Sequence, residues 1–173
     1  LNSEKVKQLR KDTMQFITLN HPVDCGICNK SGECMLQDFH YEHNGEASKS
    51  RDPKTHATKF YPLSDRIMLD NERCIMCTLC VRFTHEVSKS HALGAVNRGD
   101  HALIRPAEAA DFNNDVYSDN VIDLCPVGAL LSRELLPHAR VWYLKDTPPA
   151  SPGGPRRRTH HPRHPHANGK HAH

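Results

Sequence analysis

Between positions 3 and 19, Val6, Leu9, Phe16 and Ile17, bridged by Thr13 and Met14, recur every three or four residues, while Lys and Arg take the other faces. That period predicts an amphipathic helix over 3–19 with Ser3 as its N-cap. His21-Pro22 predicts its end, because the residue before proline is sterically pushed out of the helical region. Residues 43–60 are polar and rich in helix breakers, and read as a loop. Beyond it, Arg66–Leu69, Leu93–Val96 and Ala102–Arg105 predict short strands, the last two flanking a turn at Arg98-Gly99-Asp100. Thr78–Val87 and Val127–Leu136 predict short helices, each after a cysteine motif, and Val141–Leu144 a final strand. No repeat is visible at periods of 20–50 residues. The pattern is α+β, built from small elements.

Composition explains why the elements are small. Of 173 residues, 37% are hydrophobic and 6% aromatic, so the apolar core is modest for the length. No apolar run approaches the ~18–20 residues needed to span a bilayer, so direct membrane insertion is not expected. There is no signal peptide, and a chain opening on Leu1 reads as one whose beginning is missing. Lys and Arg total 23 against 20 Asp and Glu, too balanced to point to nucleic acid, and none is expected as a partner. The excess is local: residues 146–173 hold five basic residues and one acidic, six of the fourteen His and six of the twelve Pro. With so little apolar surface to offset chain entropy, 148–173 reads as a disordered Pro/Arg/His tail, and no site is assigned to its histidines.

Seven cysteines, all between positions 25 and 125, carry the chemistry. An odd number without a secretory signal argues against a disulfide framework and towards metal. Cys74-Ile75-Met76-Cys77-Thr78-Leu79-Cys80 puts three thiolates on one tight loop, the spacing that holds three corners of an iron–sulfur cubane. Cys125-Pro126 supplies the remote fourth ligand in the manner of bacterial ferredoxins, the proline letting the chain turn sharply after the ligand. Zinc would more naturally pair two C-x2-C knuckles.

The second constellation, Cys25-Gly26-Ile27-Cys28 with Cys34, offers three thiolates and needs a fourth ligand from His21, Asp24, His40 or His43. Seven Cys cannot complete two four-ligand sets, whereas seven Cys and one His can. His21 lies in an extended segment just before the first Cys, where its ring is free to turn back. A cluster on three Cys with an open or water-bound iron is the alternative.

These residues resemble a known family. His21-Pro-Val-Asp-Cys25-Gly-Ile-Cys28, then Cys34-Met-Leu-Gln37-Asp38, is similar to the one-His/three-Cys [4Fe-4S] motif of the large iron–sulfur subunit of bacterial respiratory complex I (the G-type subunit family of NADH-quinone oxidoreductase). Glu72-Arg-Cys74-Ile-Met-Cys77-Thr-Leu-Cys80 and Asn120-Val-Ile-Asp-Leu-Cys125-Pro-Val-Gly-Ala-Leu130 resemble its next [4Fe-4S] site, in the same order. The resemblance runs from about residue 3 to about Thr147. It implies two [4Fe-4S] clusters, one on His21, Cys25, Cys28 and Cys34 and one on Cys74, Cys77, Cys80 and Cys125, and it selects His21 over His40 and His43. It also implies a one-His/three-Cys domain over 1–45, a ferredoxin-like cluster domain over 46–137, and a stub of a molybdopterin-oxidoreductase-like domain over 138–147. The expected partners are the NADH/FMN-binding subunit and the downstream iron–sulfur subunit, in a peripheral arm on the cytoplasmic side of the bacterial inner membrane. Two departures stand out. The plant-type [2Fe-2S] domain with which the family begins is absent, so that cluster is expected only on a missing N-terminal domain. After Thr147 the family pattern gives way to the tail, which reads as a shifted frame, a point the nucleotide sequence decides.

The implied function is relay of single electrons, with no bond-making and no catalytic residue in this chain. No G-x-G-x-x-G lies between a strand and a helix, so neither NAD nor flavin is expected on it. Replacing one thiolate by neutral imidazole makes the first cluster one unit less negative, which by itself favours reduction. Lys30, Arg73 and Arg82 read as solvated surface charges, and His85, His91 and His101 as ordinary polar residues. Gly26 and Gly32 read equally as amides brought near sulfide and as turn glycines. The alternatives are the electron-relay region of a formate dehydrogenase or of an NAD-linked or [FeFe] hydrogenase, and, from another class, a zinc-stabilised interaction module.

Overall fold

The computed structural model describes residues 2–107, 109–134, 145–147 and 157–159. Helix α1 spans Glu4–Ile17, and Ser3 stands at its N-cap in extended backbone. The serine hydroxyl makes no capping bond. Instead the Ser3 carbonyl accepts the Val6 and Lys7 amides. At the other end, Lys54 Nζ donates to the carbonyls of Thr18 (2.9 Å) and Leu19 (2.7 Å), a cation placed where the helix dipole is negative. The buried side of α1 follows the expected one at Val6, Met14 and Ile17, which packs against the core, and departs from it at Phe16. Met14 is its buried residue, while Phe16 is 78% exposed. The helix turns Val6, Arg10, Thr13 and Met14 towards Phe39 and His43 of the next helix, which rotates Phe16 outward.

That next helix, α2 (Met35–His43), follows Cys34 directly. The hydrophobic pattern did not predict it, because only Leu36 of its nine residues is buried. Strands β1 (Tyr61–Pro62), β2 (Ile67–Leu69) and β5 (Leu130–Ser132) form an antiparallel sheet in the order β1-β2-β5, with Leu69 opposite both Tyr61 and Leu130. Helix α3 (Leu79–Glu86) and the hairpin of β3 (Leu93–Val96) and β4 (Leu103–Pro106) fall where periodicity puts them, with a 3-10 turn at Gly99–His101 between the strands. Helices α4 (Ala109–Asn114) and α5 (Asn120–Leu124) lead into Cys125.

The helix expected at 127–136 is not formed over its described part. Leu130–Ser132 pairs with β2, and the Asp70 amide donates to the Ala129 carbonyl at 2.8 Å. The run from Val127 to Leu131 is buried throughout, and a short, wholly apolar run does not declare helix or strand by its period. The strand expected at Val141–Leu144 lies outside the described residues. Within the segment read as disordered, β7 (Arg157–Thr159) pairs antiparallel with β6 (Lys145–Thr147). Such pairing satisfies backbone groups without needing apolar side chains. The rest of that segment lies outside the described residues.

One core cluster runs from Met14 and Leu36 through Leu63, Ile67 and Leu69 to Phe112, Val121 and Leu130, and it takes in Cys34, Cys80 and Cys125. The cysteines are thus part of the packing rather than appended to it.

Candidate metal centres

The second cysteine set is built on a strained loop. Asp70 Oδ1 accepts the amides of Glu72 (3.0 Å) and Arg73 (3.3 Å), which starts the turn, and the Cys74 amide then donates to the Asn71 carbonyl. Met76 and Thr78 follow in left-handed backbone, at φ 52° and 58°. A β-branched residue there is unfavourable, by about 1–3 kcal/mol, and persists only where the surroundings demand it. Left-handed residues interspersed in a turn aim successive N–H groups at one point, a concavity suited to anionic iron–sulfur groups. Helix α3 carries Cys80 in its first turn, and Cys125 closes the C-terminus of α5. All four cysteines line one cavity, whose other walls include Leu69, Ile104, Val127 and Leu130.

The electrostatics of this set follow from burial. Burial pushes the Cys74 thiol up to about 11 and Cys80 to about 12, and raises Cys125 as well; the neighbouring thiols add to the rise at all three. Backbone amides oppose it, those of Leu130, Val127 and Ala129 all reaching Cys125. The site therefore offers N–H donors to sulfur. A cluster held by these four residues would supply positive charge at sulfur, because iron holds coordinated sulfur as thiolate.

The first set sits on consecutive turns, with the Ile27 amide on the Asp24 carbonyl, Ser31 on Cys28 and Glu33 on Lys30. Gly32, at φ 90°, takes a conformation that disfavours other residues, and its amide donates to Gln37 Oε1 at 3.2 Å. Gly26 has no positive φ, and a side chain there meets nothing within 4 Å. Cys28 and Cys34 are buried and Cys25 is exposed. Burial raises the Cys34 thiol, and the neighbouring Cys28 and Cys25 add to the rise.

His21 is held beside this loop. Burial, then Lys54 and Arg73, lowers its pKa to about 4, while a hydrogen bond to the Arg73 backbone opposes the shift. Its Nδ1 is buried without a partner. A neutral imidazole with a free ring nitrogen is the form that ligates metal. His40 is engaged by Asn44 at 3.3 Å, and His43 stacks on Phe39. Asp24, the fourth candidate, is taken by ion pairs: Lys59 at 2.5 Å and Arg73 at 3.0 Å hold its carboxyl below the usual range. Among the described residues, no three of His, Cys, Asp and Glu converge as a single ion requires. A cubane takes one ligand at each iron corner instead.

Two of the residues read as surface charges behave differently. Arg73 is 2% exposed, so that reading is overturned. It is paired with Asp24 and with Asp70, which is fully buried. Arg82 is exposed and pairs with the equally exposed Glu86, as expected of a solvated charge. Lys30 lies between, largely covered and 3.9 Å from Glu33. His85 and His91 are exposed and pack edge to face, and His101 is exposed beside Asp100. Gly128 is a further residue of the site that spacing did not single out, since it borders Cys28 from the far loop.

Residues 10–49 match the family described as the NADH-ubiquinone oxidoreductase-G iron-sulfur binding region, and residues 64–131 the ferredoxin-like domain of NADH-quinone oxidoreductase subunit 3. The G subunit of NADH-quinone oxidoreductase from Rickettsia typhi is 36% identical, over 84% of this chain and 21% of its own length. The NADH-ubiquinone oxidoreductase 75 kDa subunit of Reclinomonas americana is 40% identical, over 84% of this chain and 21% of its own length. Subunit 3 of Thermus thermophilus is 36% identical over 84% and 20%. Among solved structures, an NAD+-reducing [NiFe]-hydrogenase in the H2-reduced state superposes at a TM-score of 0.68 with 27% identity, covering 81% of this chain and 60% of that one. The chain thus spans about a fifth of the length of the curated relatives it matches, and over that span it belongs to the iron–sulfur region of the NADH-quinone oxidoreductase G-type subunit family.

Proposed function

We propose that this chain relays single electrons through two [4Fe-4S] clusters within an NADH:quinone oxidoreductase. Cys74, Cys77, Cys80 and Cys125 hold one cluster, and His21, Cys25, Cys28 and Cys34 the other. The observation that carries the reading is the cavity bounded by all four cysteines of the second set, ringed by apolar side chains and backbone amides. The unpartnered His21 Nδ1 supports the first set. When bound, each cluster supplies a one-electron redox couple. The chain's own residues fix ligand type, exclude water from Cys80 and Cys125, and direct amides at sulfur, which together set the potential.

The partners proposed are an NADH/FMN-binding subunit upstream and an iron–sulfur subunit downstream towards quinone. The proposed location is a peripheral arm on the cytoplasmic face of the membrane. Among the described residues no helix is long and apolar enough to cross a bilayer. The division into cluster domains at 1–45 and 46–137, followed by a stub and a tail, belongs to the same proposal. The likeness to the hydrogenase favours a second reading, in which the same relay serves an NAD-linked hydrogenase. The relatives named above favour the quinone-reducing assembly.

Anaerobic reconstitution, iron and sulfide analysis and low-temperature EPR of the reduced chain test the proposal. The expected result is a brown protein with about eight iron atoms, two cubanes' worth. A count near four removes the first cluster, and a colourless zinc-loaded chain removes both. His21→Ala is expected to lose or alter the first cluster's signal alone; equal loss of both signals would assign His21 to folding instead.

A further inference from the structure

The turn after Cys125 presents different chemistry on its two sides. The amides of Leu130, Val127 and Ala129 reach the Cys125 sulfur. Gly128, buried between them, faces the other cysteine set. A Cβ at this position would overlap Cys28 Sγ and approach Lys30 Cβ to 3.2 Å. Its φ is not positive, so no left-handed turn demands glycine there. What the position uses is the missing side chain. Gly94, by contrast, has open space where a Cβ would point. Pro126 adds a second contact of the same kind, as its carbonyl accepts the Met35 amide at 3.2 Å and lies 3.7 Å from Cys34 Sγ.

We propose that Gly128 is a positioning residue for the first cluster, although it belongs to the loop of the second. The inference rests on the two-cluster reading above. Two buried thiols of the first set, Cys28 and Cys34, lean on the stretch Pro126–Gly128, while the amides serving Cys125 come from the residues around Gly128. A sulfur bound at one corner of a cluster cannot move aside to admit a methyl group and remain a ligand. The dependence is therefore one-way at this position. A side chain on Gly128 displaces Cys28 from its iron and leaves the second site's donors in place.

The full 173-residue chain, Gly128→Ala and the control Gly94→Ala, each reconstituted anaerobically, test this by iron count and EPR. The parent and Gly94→Ala are expected to hold about eight iron atoms. Gly128→Ala is expected to keep the second cluster's signal and to lose or shift the first, with iron falling to about four on complete loss. A parent count near four removes the two-cluster reading, and this inference with it. A parent count near eight, with Gly128→Ala unchanged in count and in both signals, overturns this inference alone. Should Gly128→Ala lose both clusters, the double variant Cys28→Ala/Gly128→Ala decides. Recovery of the second signal to the level of Cys28→Ala assigns the defect to overlap with Cys28. Continued absence makes Gly128 a general folding residue and sinks the proposal.

Discussion

Arg73 is the buried cation that ties the two cysteine loops together. It precedes Cys74, its backbone hydrogen-bonds to His21, and its Nε and Nη2 both reach Asp24 Oδ2, at 3.1 and 3.0 Å, one residue before Cys25. Asp70 completes the group at 3.2 Å, and burial raises its pKa even though Arg73 opposes the shift. Removing one member of a buried ion pair leaves an uncompensated charge, which costs more than the pair contributes. Arg73→Met is therefore expected to destabilise the chain by about 3–5 kcal/mol, read by chemical denaturation. Adding Asp70→Asn to that variant should recover part of the loss; no recovery would show that Asp70 is not the charge left stranded. The sequence concealed this role, because an arginine beside a cysteine reads as a surface charge until a fold brings Asp24 across 49 positions. Gly128 was hidden in the same way, its partner Cys28 lying far upstream in the chain.

At the level of elements, α3, α4 and α5 are stitched by one carboxylate. Asp115, between α4 and α5, accepts the hydroxyls of Ser88 and Ser90, both at 2.7 Å, from the loop after α3, and the Tyr117 amide at 2.9 Å. Burial works to raise the Asp115 pKa, yet these donors together hold it below the usual value. A carboxylate depressed in the folded state adds stability above its ordinary pKa, and that contribution is lost as pH falls through the carboxylate range. Asp115→Ala is expected to cost about 1–3 kcal/mol at neutral pH, since it takes the acceptor from the Tyr117 amide and turns the two serine hydroxyls back on each other and the Thr84 carbonyl. The gap between parent and variant should close on acidification, followed by urea denaturation from about pH 7 to about pH 3; a gap that widens would contradict the assignment. Elements were legible where periodicity was clean, as in α1, α3 and the β3–β4 hairpin. Helix α2 was not, because one buried leucine among polar residues leaves no stripe. Strand β5 was misread because a fully buried run has no polar face to give it a period.

For the molecule as a whole, the low hydrophobic content is offset by making cysteines core residues, since Cys34, Cys80 and Cys125 pack among the leucines and valines. Without a cluster this arrangement carries a pH liability. Unfolded thiols ionise near about 8.5, whereas Cys74 and Cys80 in the fold are pushed to about 11 and about 12. The folded apo chain therefore holds protons that the unfolded chain releases, and its stability falls as pH rises above about 8.5. With clusters bound the sulfurs are already thiolates, so that slope should flatten. Thermal unfolding of apo and reconstituted chain between about pH 7 and about pH 10 checks this, and parallel slopes would contradict it. By itself, the sequence determined the donor inventory, the ferredoxin-like spacing of one set and the family, because ligand type and loop spacing are local properties of a chain. Through the family resemblance it also singled out His21, over His40 and His43, as the expected eighth ligand. Only the tertiary structure decided that Arg73 is buried, that Asp24, His40 and His43 are engaged elsewhere while His21 Nδ1 is unpartnered, and that the turn after Cys125 lies against Cys28 and Cys34. Those facts depend on which distant segments share the core, and long-range packing leaves no mark in local spacing.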